Sequence, residues 1–91
     1  MNSAMQSMTL EQLRTTFHAG GLAAARVVAT GKRFHAVADT KGGDRVVLVR
    51  HSDTTARAFS DPGTALKLLR DIGFRVVTVD MTDWQPGQGA L

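Results

Sequence analysis

The chain contains no cysteine, so neither disulfides nor thiolate metal sites are available to it. That absence suits a reducing cytoplasm, which is where we expect the protein to act. The three histidines, His18, His35 and His51, have no carboxylate or cysteine partner at ligand spacing. His35 and His51 could be strand neighbours, but two histidines alone are weak evidence for a metal site. We therefore predict neither a metal site nor a cofactor.

Long apolar runs are also missing. No stretch approaches the roughly 20 apolar residues of a membrane-spanning helix, so we predict no membrane partner. The segment 1–8 lacks both the basic start and the apolar centre of a secretion signal. We interpret it as a disordered leader, an expression remnant or the product of an early start codon. A single domain is then expected over 9–84 and a flexible tail over 85–91.

Recognisable catalytic patterns are absent as well. Glu11 is the only glutamate and fits the first turn of a helix. General acid–base catalysis would need positioned carboxylates or a histidine dyad. The glycine patterns that bind phosphates or dinucleotides do not occur. We predict no catalytic residues and no small-molecule substrate, and an enzyme is the third and last of the functional alternatives.

Positive charge, by contrast, is concentrated in the middle of the chain. The net charge is +3, and seven of the eleven Lys and Arg residues lie between Arg26 and Arg57, opposed there by three aspartates. Such asymmetry attracts nucleic acid or acidic partners, although an ordinary solvated sheet surface would also show it. The residues predicted to contact phosphates are Lys32, Arg33, Lys41, Arg45, Arg50 and Arg57.

Two helices have clear start and stop signals. Thr9 and Gln12 form a capping-box pattern at the start of the first helix. Asp61 suits the N-cap of the second helix, Pro62 suits its first position, and Gly73 suits the left-handed residue just beyond its end. These signals predict one short helix near each end of the domain.

Together with these two helices, the strand signals in the sequence predict an α+β fold in the order α-β-β-β-β-α-β. Tight turns make the first four strands an antiparallel meander, and the last strand would run antiparallel beside the first. We expect an antiparallel sheet of four to five strands, in the order 5-1-2-3-4, with both helices on one face. The predicted strands are 22–30, 33–40, 45–51, 55–59 and 75–81.

The hairpin between the second and third of these strands decides which side chains share a face. Gly42–Gly43 predicts a two-residue loop, which places Val37, Val46 and Leu48 together on the face opposite Phe34; a one-residue change in loop length would re-pair the faces. Either register leaves the third strand apolar on both sides. An uncovered apolar strip is typical of an interface.

That strip predicts a homodimer through the second face of the sheet or through an edge strand. The predicted interface residues are Val37, Val46 and Leu48. The alternative is that these side chains are simply half exposed in a monomer, which is common on small sheets.

Three stretches of the chain resemble the ParC family of plasmid partition-associated proteins: Thr9–Leu13, Arg57–Phe74 and Val79–Trp84. The resemblance spans most of Met8–Trp84, and its motifs are mainly structural. It implies a small accessory protein encoded with plasmid-stability genes, unrelated to the topoisomerase subunit that shares the family's name. It assigns no catalytic residue.

Two functions follow as expectations. The first is a plasmid partition accessory protein that acts as a small interaction module, homodimeric, with plasmid DNA or another partition protein as partner. The second is a DNA-binding protein that contacts phosphates through the basic sheet Arg26–Arg57, an idea that a loose likeness to the arm-binding domains of phage integrases also favours. Because Phe34 and Phe59 are assigned to the core, the sequence predicts no aromatic platform for single strands.

Overall fold

Five strands and two helices follow one another in the order β-α-β-β-β-α-β. The structure is a computed structural model that describes residues 6–52 and 55–87. The elements are β1 (Gln6–Met8), α1 (Leu10–His18), β2 (Leu22–Gly31), β3 (Arg33–Thr40), β4 (Arg45–Leu48), α2 (Pro62–Ile72) and β5 (Thr78–Trp84).

The strands form one mixed sheet in the order β1-β4-β3-β2-β5. β2, β3 and β4 are the antiparallel meander expected from the tight turns, and β5 lies beside β2 as predicted. However, β5 runs parallel to β2, and β1 runs parallel to β4. The α+β class is confirmed, whereas the prediction of a purely antiparallel sheet is wrong.

The direction of β5 follows from the segment 55–59, which was predicted to be a full strand. It forms only isolated bridges, from Ala56 to Val49 and from Phe59 to Phe34. Because Phe59 pairs antiparallel with β3, the chain there runs in the direction of β2 and β4. α2 then returns the chain to the end of the sheet at which β2 begins, so β5 runs parallel to β2.

β1 occupies an edge position that the sequence did not predict. Gln6–Met8 pairs with Val46–Leu48, and the Val49 N–H donates to the Met8 carbonyl at 2.9 Å. A strand of three residues is too short to show an alternating side-chain pattern in the sequence. The predicted leader 1–8 therefore includes residues 6–8, which the structure places in the sheet. The remainder of that leader, 1–5, and the tail residues 88–91 lie outside the described residues.

The helix ends are as predicted. In α1 the Thr9 hydroxyl accepts from the Gln12 N–H at 3.3 Å, and the Gln12 side chain accepts from the Thr9 N–H at 2.9 Å. In α2 the Asp61 carboxylate accepts from the Thr64 N–H at 3.1 Å. Gly73 follows the last turn with φ 141°, a conformation that side chains rarely adopt. Both caps satisfy backbone donors that the helices leave unpaired.

Both helices pack on the same face of the sheet, as expected. Leu13 of α1 and Leu69 of α2 belong to one core cluster, and the Arg14 guanidinium donates to the Asp71 carboxylate across the two helices at 2.8 Å. Beneath them the strands present small and β-branched side chains that let the helices approach closely. These buried strand residues are Leu22, Ala25, Val27, Ala29, Phe34, Ala36, Ala38, Val46 and Leu48.

The β3–β4 hairpin has a three-residue loop, and this sets the register. The Thr40 N–H donates to the Asp44 carbonyl at 2.8 Å, so residues 41–43 form the loop. Gly43 has φ 96°, which fits a type I turn closed by a left-handed residue. The predicted loop had two residues, and the additional residue shifts β4 by one position relative to β3.

This shift re-pairs the faces of β4. Ala38 lies opposite Val46, and Val37 lies opposite Val47. Val46 and Leu48 therefore face the helices, where both are 0% exposed. Of the three residues predicted to form an interface, Val37 alone stays on the open face, because the register places the other two in the core.

Candidate nucleic-acid interface

The six residues predicted to contact phosphates lie at two opposite ends of the sheet. Lys41 and Arg45 lie at the β3–β4 hairpin. The other four lie at the end where β3 begins, and we call them the basic end: Lys32, Arg33, Arg50 and Arg57. β3 separates the two groups by about 23 Å, from its residue count and the rise of a strand. The single basic surface expected from the sequence is thus divided.

Lys32 and Arg33 lie next to each other at the turn that begins β3. Lys32 occupies the tight turn between β2 and β3, and Arg33 begins β3, where it pairs with Thr30. Both side chains are exposed, and neither forms an ion pair within residues 6–52 and 55–87. Their charge is therefore available to an anion.

Arg50 and Arg57 reach the same end from the segment after β4. The Arg57 N–H donates to the Leu48 carbonyl at 2.9 Å, and the Arg50 N–H donates to the Thr55 carbonyl at 2.8 Å. Their side chains line a groove of about 410 Å³ together with the start of α1. Glu11 lines the same groove and offsets part of its positive charge.

Two further contacts fix the position of Arg57. Its guanidinium lies over the Phe59 ring, 5.1 Å from the ring centre, an attraction between a cation and an aromatic face. Its carbonyl accepts from Nδ1–H of His35 at 3.2 Å. Phe59 is itself buried against Phe34 of β3, so the guanidinium is anchored to the core.

At the hairpin end, Arg45 is engaged within the protein. The Asp39 carboxylate accepts from Arg45 at 3.1 Å and from Arg26 at 3.0 Å. Burial raises the pKa of Asp39, but the hydrogen bonds and charges of the two arginines outweigh this and hold the pKa below its ordinary value. Asp39 therefore stays ionised and offsets part of the positive charge, whereas Lys41 is exposed.

The open face of the sheet does not show the predicted apolar strip. Val37 is 3% exposed and Val49 is 5% exposed, although no helix covers them. In the register Val37 lies between Val47 and Arg26, whose paired guanidinium is held over the sheet by Asp39. The Arg26 guanidinium thus shields Val37 from solvent, whereas Val49 is bridged to Ala56 of the following segment.

Exposed apolar side chains instead accompany β5. α2 packs on β2 and β3, and α1 packs on β1, so β5 extends beyond the helices. Val79 is 41% exposed, Met81 57% and Trp84 39%. Trp84 rests partly on Phe34, with ring centres 6.1 Å apart. The sequence predicted this strand at 75–81 and beside β2, whereas in the structure it spans Thr78–Trp84.

A metal site and a membrane-spanning helix are two further features that the described residues lack. Within the described residues, no three His, Asp or Glu side chains come together in a way that could hold a metal ion. No helix in that part of the chain is long and apolar enough to cross a membrane. The chain as a whole matches no family model, no curated protein and no solved structure at a significant level.

Proposed function

We propose that the chain is a plasmid-maintenance accessory protein that binds DNA through the phosphate-contacting side chains of the basic end. The observation that carries this proposal is the gathering of Lys32, Arg33, Arg50 and Arg57 from three separate segments at one end of the sheet. The resemblance of Arg57–Phe74 to the ParC family supports the maintenance role. No reacting group takes part, so the proposed function is binding without catalysis.

The basic end suits a phosphate backbone better than a compact acidic ligand. Its cations come from a turn, a strand start and a loop, and so they are spread over a surface. The exposed pair Lys32 and Arg33 needs no rearrangement to reach an anion, since neither has an ionic partner in the described part of the chain. Spread positive charge without base-reading side chains gives sequence-independent affinity.

The measurement that tests this function is the affinity of the protein for duplex and single-stranded DNA as a function of salt. Four phosphate contacts predict that the logarithm of affinity falls linearly with the logarithm of salt concentration, with a slope of about −3 to −4. A gel-shift or anisotropy titration between about 50 and 200 mM salt covers the informative range. No binding to either DNA at the lowest salt would refute the proposal.

A homodimeric interaction module is the second candidate. It is favoured by the exposed apolar residues of β5 rather than by the strip of Val37, Val46 and Leu48 predicted from the sequence. A small domain buries a modest fraction of its surface, so covering β5 with a second copy would stabilise it. The two candidates use different surfaces and are compatible with each other.

A further inference from the structure

A groove at the basic end is built around the only tryptophan of the chain. Its volume is about 380 Å³, and we call it the Trp84 groove. Trp84 is brought there by its pairing with Gly31, and the next residue is fixed by a hydrogen bond of 2.8 Å from the Gln85 N–H to the Gly31 carbonyl. The groove is lined mainly by Lys32, Phe34, Ser60, Pro62, Trp84 and Pro86.

The Trp84 indole in this groove packs against Phe34 and remains partly open to solvent. Phe34, which is 6% exposed, lies 6.1 Å from it between ring centres with a tilt of 51°. Trp84 nevertheless keeps 39% of its surface accessible. An aromatic side chain that is braced by the core and still open to solvent suits stacking of a flat ligand, because little side-chain freedom is lost on binding.

The positive charge of the groove favours flat ligands that carry negative charge. Lys32 is the only charged side chain among its described lining residues, and Arg33 follows it in the chain. The nearby Asp61 is committed to the cap of α2, where its carboxylate accepts from the Thr64 N–H. A flat apolar ring attached to a negative backbone matches this pairing of indole and cations, and an unpaired nucleotide has both parts.

We propose that the Trp84 groove stacks an unpaired base of single-stranded DNA while Lys32, the cation that lines the groove, contacts an adjoining phosphate. This inference rests on the proposed function and narrows it, because a base inside a duplex is not accessible to the indole. It departs from the expectation that the chain has no aromatic platform for single strands. The platform comes from β5 rather than from Phe34 or Phe59.

The fluorescence of Trp84 reports on this contact without any label, since the chain has one tryptophan and no tyrosine. The unmodified protein would be titrated with a twelve-residue oligothymidylate and with a duplex of the same length at about 50 mM salt. We expect saturable quenching by the single strand and little quenching by the duplex. The binding of a labelled oligothymidylate, followed by anisotropy, gives the affinity independently.

Two substitutions complete the test. Trp84→Ala should weaken oligothymidylate binding about 5- to 150-fold, the fold-change that corresponds to losing one stacked base, whereas Trp84→Phe should restore part of it. Met81→Ala changes another exposed apolar residue of β5 outside the groove and should leave the affinity unchanged.

The possible failures are distinguishable. If oligothymidylate binds by anisotropy but leaves Trp84 fluorescence unchanged, and the Trp84→Ala variant binds it as tightly as the unmodified protein, stacking is refuted while phosphate binding stands. If a proline-rich peptide quenches Trp84 and the oligonucleotide does not, the groove is a peptide site and the inference is wrong. If neither single strand nor duplex binds, the proposed function itself fails and the inference falls with it.

Discussion

At the scale of single residues, Gly73 shows how a helix end and a ring contact are joined. It ends α2 with φ 141°, and a Cβ built there would overlap the ring of Phe17. That ring packs edge-on against Phe74, with ring centres 4.9 Å apart. The sequence predicted the glycine as a helix terminator, but the close approach of Phe17 depends on how α1 and α2 are placed and could not be derived from the sequence.

Gly73→Ala is therefore expected to destabilise the protein more than Gly20→Ala does. Gly20 also has a positive φ, 82°, but a Cβ there would meet no atom within 4 Å. Alanine costs about 1–2 kcal/mol of backbone strain in the left-handed region of Gly20 and at least as much at the φ of Gly73, and overpacking adds about 1–3 kcal/mol at Gly73 alone. Urea unfolding of the two variants measures the difference, and equal losses of stability would contradict the contact with Phe17.

At the scale of elements, β5 is the strand that most needs explanation. α2 packs mainly on β2 and β3 and α1 on β1, so β5 lies at the sheet edge away from the main helix contacts. Its register on β2 shifts between Asp80 and Asp83, and the Asp80 carboxylate accepts from the Thr82 N–H at 3.0 Å. That hydrogen bond helps to lower the pKa of Asp80. Bulges and charges of this kind oppose strand pairing at an edge.

A homodimer would accordingly form through the apolar side of β5 rather than by extension of the sheet. Leu66, 37% exposed, lies on the flank of α2 opposite to Asp71, which faces α1, and so it borders the same surface as Val79 and Met81. We expect light scattering at micromolar concentration to return a dimer, and Met81→Lys to return a monomer. A monomer mass for the unmodified protein at about 100 µM would contradict this expectation.

The elements also show which parts of the fold can be derived from sequence. α1 and α2 were predicted with their caps because capping uses side chains close in sequence, such as Thr9 with Gln12. β1 was not predicted, and β5 was predicted in the wrong direction, because these features depend on main-chain pairing and on where the segment 55–59 runs. The register of the β3–β4 hairpin depends on whether its loop has two or three residues. The three-residue loop places Val46 and Leu48 in the core rather than at the predicted interface.

At the scale of the whole molecule, the basic segment of the sequence becomes two ends of different character. At the hairpin end Arg45 and Arg26 share Asp39, and Lys41 is exposed by itself. At the basic end, Lys32 lies beside Trp84, whereas Arg50 and Arg57 line a separate groove at the start of α1. The concentration of positive charge in Arg26–Arg57 is visible in the sequence, whereas its division between two ends of the sheet depends on the fold.

The central claim is that DNA binds at the basic end, and a charge-matched pair of variants tests it most directly. Lys32→Glu and Lys41→Glu make the same charge change about 23 Å apart, well beyond the screening length of about 10 Å at 0.1 M salt. We predict that Lys32→Glu weakens DNA binding roughly tenfold and makes the salt slope shallower by about 1, whereas Lys41→Glu leaves both nearly unchanged. Equal losses from the two variants would contradict the account.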